Sequence, residues 1–376
     1  MPSLHKATCA YLSALMAAGV VAMLSAAQRP QQAPDFAVST TRVLLDVVAR
    51  DTKHRTVAGL QVSDFRIEED GKPREIVSFQ EVRHPERSGD SKSAAALSTV
   101  APVAPNNTAG RRVAIVLEEL GPEARASVGR LDESLQQLMK SDPDVAVAIF
   151  VYSGSLYTGT EFTNDPTAVQ TALRTALQRP GCPLFETQLG HRQAQFTNCV
   201  AWGEGTYHRI RGVNTFAALR QLVLDMAPLP GRKAIALYSE GLDLTSGSRG
   251  QFGDDRMSWF ESLIAASAAS HVAFYTFDAA GLRLHSTATG QLMEEPRAAL
   301  SVLARRTGGD FAEGTNDLQL GLRRMWADTG NYYMLAFDSV KAPSSSQKLR
   351  VRVTTSRRGI RLLSRDQYVP VQASSR

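Results

Sequence analysis

The feature that most constrains the fold is a regular alternation of apolar strand segments and amphipathic helix segments between residues 111 and 330. The segments 113–117 and 145–151 are continuous apolar runs, which are typical of parallel strands covered by helices on both faces. A helix signal begins at Pro122 and continues with apolar residues at helical spacing. The alternation therefore predicts an α/β domain with a doubly wound, mostly parallel sheet and helices on both of its faces.

Strand patterns return at both ends of the chain. Residues 36–82 contain alternating runs around the turn signal Asp70-Gly71, and residues 331–370 contain further strand runs. The first segment is too small to form a comfortable core alone. We therefore expect the two segments to pack together as a small β-module. The Ser-, Ala- and Pro-rich stretch at 83–110 has no periodicity and is predicted to be a linker.

The N-terminus has the pattern of a secretory signal peptide. A basic start is followed by an apolar run at 7–27, which closes with small residues. We predict that residues 1–27 are removed, that 28–35 form an exposed linker, and that the protein is exported, either periplasmic or secreted. The alternative is an uncleaved membrane anchor, since the run has about the ~20 residues that span a bilayer. After cleavage no stable membrane insertion is expected.

Cysteine usage follows from the predicted export. Cleavage after Ala27 removes Cys9 and leaves Cys182 and Cys199. An oxidising compartment permits a disulfide between these two, with two free thiols as the alternative. A zinc site that also uses nearby histidines is disfavoured, because structural zinc sites use short paired spacings.

Composition excludes two broad classes. The chain has 376 residues and a formal net charge of +5 from 42 basic and 37 acidic side chains. Nucleic-acid binding calls for clustered Lys and Arg, and this charge is spread along the chain. A polytopic membrane protein is excluded because there is one long apolar run.

Several segments, taken in order, resemble a known family. They are 57–71 with its Glu-Asp-Gly turn, 231–241 with Gly-Arg-Lys-Ala and Ser-Glu-Gly, 303–309 ending in Thr-Gly-Gly, and Tyr332-Tyr333. Their order and spacing resemble the VWFA-related domain family of acidobacterial type, whose domain is von Willebrand factor A-like (VWA-like). The resemblance implies a doubly wound sheet that binds a divalent cation such as Mg²⁺ beyond the carboxyl ends of its strands.

The family's cation motif is only partly matched. Its pattern is Asp-x-Ser-x-Ser after the first strand, a Thr before a later helix, and an Asp after the fourth strand. The aspartate positions hold Glu118 and Glu240, the threonine is Thr215, and the two serine positions hold Leu120 and Pro122. The resemblance thus implies a degenerate site for Mg²⁺ or another divalent cation with Glu118, Thr215 and Glu240 as ligands. The alternative is that the glutamates are polar loop residues, solvated or capping a helix.

An unusual insertion at 180–212 precedes Thr215. It contains both remaining cysteines and the aromatic residues Phe196, Trp202 and Tyr207. Aromatic side chains in a constrained loop beside the ligand end of the sheet would form a partner-binding surface. The alternative is a loop that packs on itself.

Motifs for catalysis are absent from the sequence. It has neither a Gly-x-Ser-x-Gly nucleophile elbow nor a His-Glu-x-x-His metal motif. We therefore predict an exported, non-enzymatic protein-interaction module, an adhesion or scaffold protein, whose partner is another protein. Two alternatives stay open. One is an exported hydrolase with an unrecognised active site, and the other is a purely structural envelope component.

Overall fold

The computed structural model describes most of the chain beyond the N-terminal segment. The described residues are 41–83, 110–153, 156–178, 204–242, 244, 255–281, 290–312, 317–339 and 348–368. The predicted signal peptide, the linker at 28–35 and residues 84–109 of the second linker lie outside these ranges. In the described part of the chain, no helix is both long and apolar enough to cross a membrane.

The described elements alternate between strands and helices in the middle of the chain and are strands at both ends. The strands are β1 (Thr41–Arg50), β2 (Phe65–Glu69), β3 (Lys72–Arg74), β4 (Ser78–Arg83), β5 (Arg111–Glu118), β6 (Val145–Tyr152), β7 (Leu156–Thr163), β8 (Arg232–Ser239), β9 (Val272–Asp278), β10 (Phe311–Ala312), β11 (Asn331–Ser339), β12 (Leu349–Thr355), β13 (Arg361–Leu363) and β14 (Gln367–Tyr368). The helices are α1 (Pro122–Gly129), α2 (Asp132–Ser141), α3 (Pro166–Gln178), α4 (Glu204–Met226), α5 (Asp255–Ser270), α6 (Gly290–Thr307) and α7 (Leu318–Gly330).

The central sheet has six strands in the order β10-β9-β8-β5-β6-β7. All neighbours are parallel except the edge strand β7, which runs antiparallel to β6. The chain starts at β5 in the middle, builds outward through β6 and β7, and then returns to β8 on the other side of β5. This is the doubly wound order of open α/β sheets, and it confirms the fold class predicted from the sequence.

Helices cover both faces of this sheet, as its continuous apolar strands require. In β5, Val113, Ile115 and Leu117 face a core formed with α1, α2, α3 and α7. Ala114 and Val116 face the opposite core, formed with α4, α5 and α6. Each fully buried Val, Leu or Ile stabilises the fold by roughly 1.5–3 kcal/mol, so neither face of β5 could be left to solvent.

Two helix boundaries differ from the sequence prediction. The single helix expected from Pro122 onward is two helices, because α1 ends at Gly129, a residue with low helix propensity, and α2 begins at Asp132. The helix expected to begin after Thr215 was also predicted wrongly. It begins at Glu204, although the Gly and β-branched residues before Thr215 disfavour a helix. Apolar residues from Phe216 onward pack in the core and stabilise the C-terminal half of α4.

The two chain ends build one β-module, as predicted. Its two four-stranded sheets have the orders β13-β1-β11-β4 and β14-β12-β2-β3. Strand β1 pairs antiparallel with β11, with Thr41 opposite Ser339, and β2 pairs with β12. The predicted Asp70-Gly71 turn joins β2 and β3, and both of its residues have positive φ values, 47° and 77°, as a two-residue hairpin loop needs.

Strand β1 faces two different environments. Val43, Leu45 and Val47 point into the apolar core between the two sheets of the β-module. The alternate residues Asp46 and Arg50 point the other way, toward the α/β domain, where they pair with Arg232 and with acidic side chains. The period of two along β1 therefore gives this strand one apolar face and one mixed face. On the mixed face, Asp46 and Arg50 alternate with Leu44 and Val48, which belong to a second, smaller apolar cluster.

Candidate functional site

The candidate site lies at the carboxyl ends of β5 and β8. These strands are neighbours in the sheet, and their last residues, Glu118 and Ser239, are directly opposite each other. The connections from β5 and β8 lead to opposite sides of the sheet, so this is its topological switch point. Open α/β sheets bind ligands in the crevice at this position.

Glu118 is the centre of a buried hydrogen-bonded cluster. The Ser239 hydroxyl donates to Glu118 Oε2 at 2.6 Å, and the Thr215 hydroxyl donates to Glu118 Oε1 at 3.3 Å. Glu118, Thr215 and Ser239 are respectively 2%, 1% and 0% exposed. These three residues, the Glu118 cluster, join β5, β8 and α4 at one point. Because buried polar networks are stable only when satisfied, the cluster favours a single arrangement of these three elements.

A hydrogen bond joins the connection that follows β5 to the connection that follows β8. Glu240 Oε1 accepts a hydrogen bond of 2.6 Å from the Gly121 N–H, immediately before α1. A carboxylate at this position also interacts favourably with the helix N-terminus. A Cβ atom on Gly121 would lie 2.9 Å from Glu240 Oε1, so an added side chain would push the flexible Glu240 carboxylate away from this position. The Ser239 hydroxyl in turn accepts from the Gly241 N–H at 3.0 Å.

The structure places the three predicted ligands at the same end of the sheet. Glu118 and Thr215 are in contact, although Thr215 comes from the middle of α4 and not from a helix start. Glu240 directly follows Ser239 in the chain, and its carboxylate accepts a hydrogen bond from the Gly121 N–H. The two positions without hydroxyl groups have structural roles, since Leu120 is buried in the apolar core and Pro122 is the first residue of α1.

The hydrogen bonds of these residues bear on whether they could hold a divalent cation. Both oxygens of Glu118 accept hydroxyl protons, and Glu240 Oε1 accepts a backbone N–H. Within the described ranges, no group of three or more His, Cys, Asp or Glu side chains could hold a metal ion. Oxygen ligands suit Mg²⁺, but it demands near-octahedral geometry. A cation at this point would have to displace the donors from which Glu118 and Glu240 already accept hydrogen bonds.

Sequence reasoning missed two polar residues at the strand ends. Ser239 precedes the predicted ligand Glu240, and Asp278 ends β9 opposite Ser239. The Asp278 carboxylate is fully buried and pairs with Arg297 at 2.7 Å. A sequence signal for both residues was available, because each is a polar residue at the last position of a largely apolar strand.

The structure corrects the second half of the predicted insertion loop. Tyr207 lies within α4, so residues 204–212 are helical and not a loop. Cys182, Phe196, Cys199 and Trp202 lie outside the described residues, so the disulfide and the aromatic partner-binding surface stay predictions.

Among the described residues, the Ser239 hydroxyl has Glu118 and Gly241 as partners and no histidine.

Comparisons with known proteins give similarity at the level of solved structures. No protein-family model and no curated protein matches the chain. An aerotolerance-related membrane protein from Bacteroides fragilis is 13% identical, with a TM-score of 0.35, over 58% of this chain and 98% of that one. The vWF domain of the type V pili tip protein Mfa5 from Porphyromonas gingivalis is 13% identical, with a TM-score of 0.34, over 58% and 94%.

A von Willebrand factor type A structure from Catenulispora acidiphila is 11% identical, with a TM-score of 0.35, over 69% of this chain and 66% of that one. These similarities are weak, and the fold is assigned from the strand order and the two helix layers of the chain itself. The chain is a doubly wound α/β domain to which both chain ends add a β-module.

Proposed function

We propose that this protein is an exported, non-enzymatic protein-interaction module of the VWFA-related type. Its partner-binding end is formed by the loops that follow β5 and β8, above the Glu118 cluster. In this proposal the cluster is a degenerate cation site, in which hydrogen bonds order the binding end and no divalent cation is needed.

The observation that carries the proposal is the buried Glu118 carboxylate at the switch point of the sheet. Burying a carboxylate is costly unless hydrogen bonds satisfy it, and here hydroxyl groups from two other elements do so. A core position would normally be apolar. A buried network at the ligand crevice is better explained by the need to hold two surface loops in one geometry.

The rim of the cluster is the surface offered to a partner. Glu119 and Glu240 are partly exposed, in contrast to the buried Glu118. Glu119 has a positive φ of 40°, so the loop after β5 is held in a conformation that few non-glycine residues adopt. Two acidic side chains at the starts of the connections that follow β5 and β8 favour a partner with a basic or hydrogen-bond-donating contact surface.

Charge reversal on this rim tests the proposal. Purified chain 28–376 would be immobilised and incubated with exported proteins of its source, and captured proteins would be quantified by mass spectrometry. Wild type is expected to capture a saturable partner, and Glu240→Lys and Glu119→Lys are each expected to reduce its capture by about tenfold or more, because rim charges steer association and opposite charge repels.

Asp225→Lys is the matched control, because Asp225 is exposed in the last turn of α4, where a cation interacts favourably with the helix dipole. It should capture the partner as wild type does, and circular dichroism should show all four proteins folded. Equal capture by wild type and both rim variants would place the binding surface elsewhere. Turnover of a hydrolase substrate by wild type, lost in Glu118→Gln, would contradict the non-enzymatic role.

A further inference from the structure

The junction between the β-module and the α/β domain contains a small enclosed cavity. It lies at the amino ends of β8 and β9, the opposite end of the sheet from the Glu118 cluster. Its volume is about 20 Å³, and Asp46, Arg232, His271 and Arg365 line it together with Ser267 and Thr307. A cavity needs about 10–15 Å³ to hold one water molecule, so this one has room for a single small occupant.

The charges around the cavity do not balance. Arg232, Lys233 and Arg365 are all buried, at 5%, 7% and 9% exposure. Arg232 lies 3.1 Å from Asp46. Lys233 donates to the carbonyl oxygens of Ala227 and Leu229, and Arg365 donates to those of Ala268 and Leu44.

Two buried guanidinium groups, Arg232 and Arg365, therefore line the cavity together with one carboxylate, Asp46. Asp328 also attracts Arg232, but it is paired with Arg50. Burial of a charged group without an opposite charge is strongly unfavourable.

Both arginines also keep N–H groups that make no hydrogen bond. Arg232 Nε and Nη1 and Arg365 Nε are buried and have no hydrogen-bond acceptor. The contact of Arg232 with Asp46 is thus an ion pair whose geometry leaves Nη1 unsatisfied. Unsatisfied buried donors each cost about 1–3 kcal/mol, and these donors belong to residues that line the same cavity.

The remaining titratable group at the cavity does not add a negative charge. Burial, followed by the nearby Arg365, lowers the pKa of His271 to about 4, so His271 is neutral at pH 7. The ring of Tyr332 lies against the guanidinium of Arg232, 4.2 Å from its centroid, and contributes no countercharge. Asp46 is therefore the one carboxylate among the residues that line the cavity.

We propose that this cavity is a halide site that binds one chloride-sized anion. A monatomic anion fits the volume, accepts hydrogen bonds from both arginines and offsets the excess positive charge. Phosphate and sulfate need more space than the single water-sized position that the cavity provides. A water molecule could accept the same hydrogen bonds but would leave the charge excess in place.

Bromide provides the direct probe, because it replaces chloride and scatters anomalously. A crystal of the full chain soaked in sodium bromide is expected to show an anomalous peak between Arg232 and Arg365. In solution, the midpoint of thermal unfolding should rise with bromide or chloride concentration and not with sodium gluconate at equal ionic strength, because an anion that binds the native state stabilises it.

Two substitutions should change the apparent bromide affinity in opposite directions. Arg365→Gln removes a donor and a charge and should weaken apparent bromide affinity by about tenfold or more. Asp46→Asn removes the competing carboxylate and should strengthen it by about tenfold. Arg42→Gln, at an exposed position on β1, is the control and should leave it unchanged. Density without anomalous signal would identify water and overturn the proposal, as would equal unfolding midpoints in bromide and gluconate.

Discussion

Replacement of Asp328 by alanine is expected to lower the free energy of unfolding by about 3–5 kcal/mol, because it leaves a buried guanidinium without its main partner. Arg50 on β1 donates from Nε to Asp328 Oδ1 at 3.0 Å and from Nη2 to Oδ2. Both side chains are 1% exposed. Burial alone lowers the pKa of Arg50, but the hydrogen bond and attraction from Asp328 outweigh it and raise that pKa. Urea unfolding of chain 28–376 measures the loss.

A second ion pair on the same strand provides the control. Arg42, also on β1, pairs with Asp338 at 2.9 Å, but its side chain is 62% exposed. Asp338→Ala should therefore cost no more than about 1 kcal/mol. Similar losses in the two variants would mean that the mixed face of β1 is not what anchors the β-module to the α/β domain.

Gly309→Ala is expected to destabilise the protein by about 3 kcal/mol or more, because overpacking against backbone cannot be relieved by a rotamer change. A Cβ atom at this position would lie 1.9 Å from the carbonyl oxygen of Phe274 on β9. Gly309 also donates to Ala304 O at 2.9 Å at the end of α6. Relief of the clash would separate the end of α6 from the sheet. Thermal unfolding reports the change.

Gly129→Ala separates this clash from the general effect of replacing glycine. Gly129 ends α1, and an added Cβ atom would meet only Leu177 Cδ1 at an ordinary 3.8 Å. Alanine has the better helix propensity by about 1 kcal/mol, so this variant should unfold at or above the wild-type temperature. A Gly309→Ala protein as stable as Gly129→Ala would contradict the packing described here.

The sequence predicted the α/β core well for a simple physical reason. Strands buried on both faces are apolar at every position, and 113–117 and 145–151 show this without knowledge of their neighbours. The packing of the two chain ends was expected, although the spacing of their residues did not determine it. The boundaries of α1, α2 and α4 were not expected. The apolar spacing continues past Gly129, where α1 ends, and α4 includes residues before Thr215 that have low helix propensity.

The sites were less predictable because their partners are distant in sequence. The resemblance identified Glu118 and Thr215, but the contact with Ser239 depends on the register between β5 and β8. Arg50 and Asp328 are 278 positions apart. A charged residue that alternates with apolar residues along a strand is typical of a solvent-facing position, and only the docking of the β-module buries it.

The central claim is that hydrogen bonds, and not a divalent cation, order the end of the sheet that binds a partner. A crystal of the full chain soaked in millimolar Mn²⁺ tests it directly through the anomalous signal of manganese. We expect no peak within bonding distance of Glu118, Thr215 or Glu240, with Ser239 still donating to Glu118. A manganese ion coordinated by Glu118 and Glu240 would contradict it.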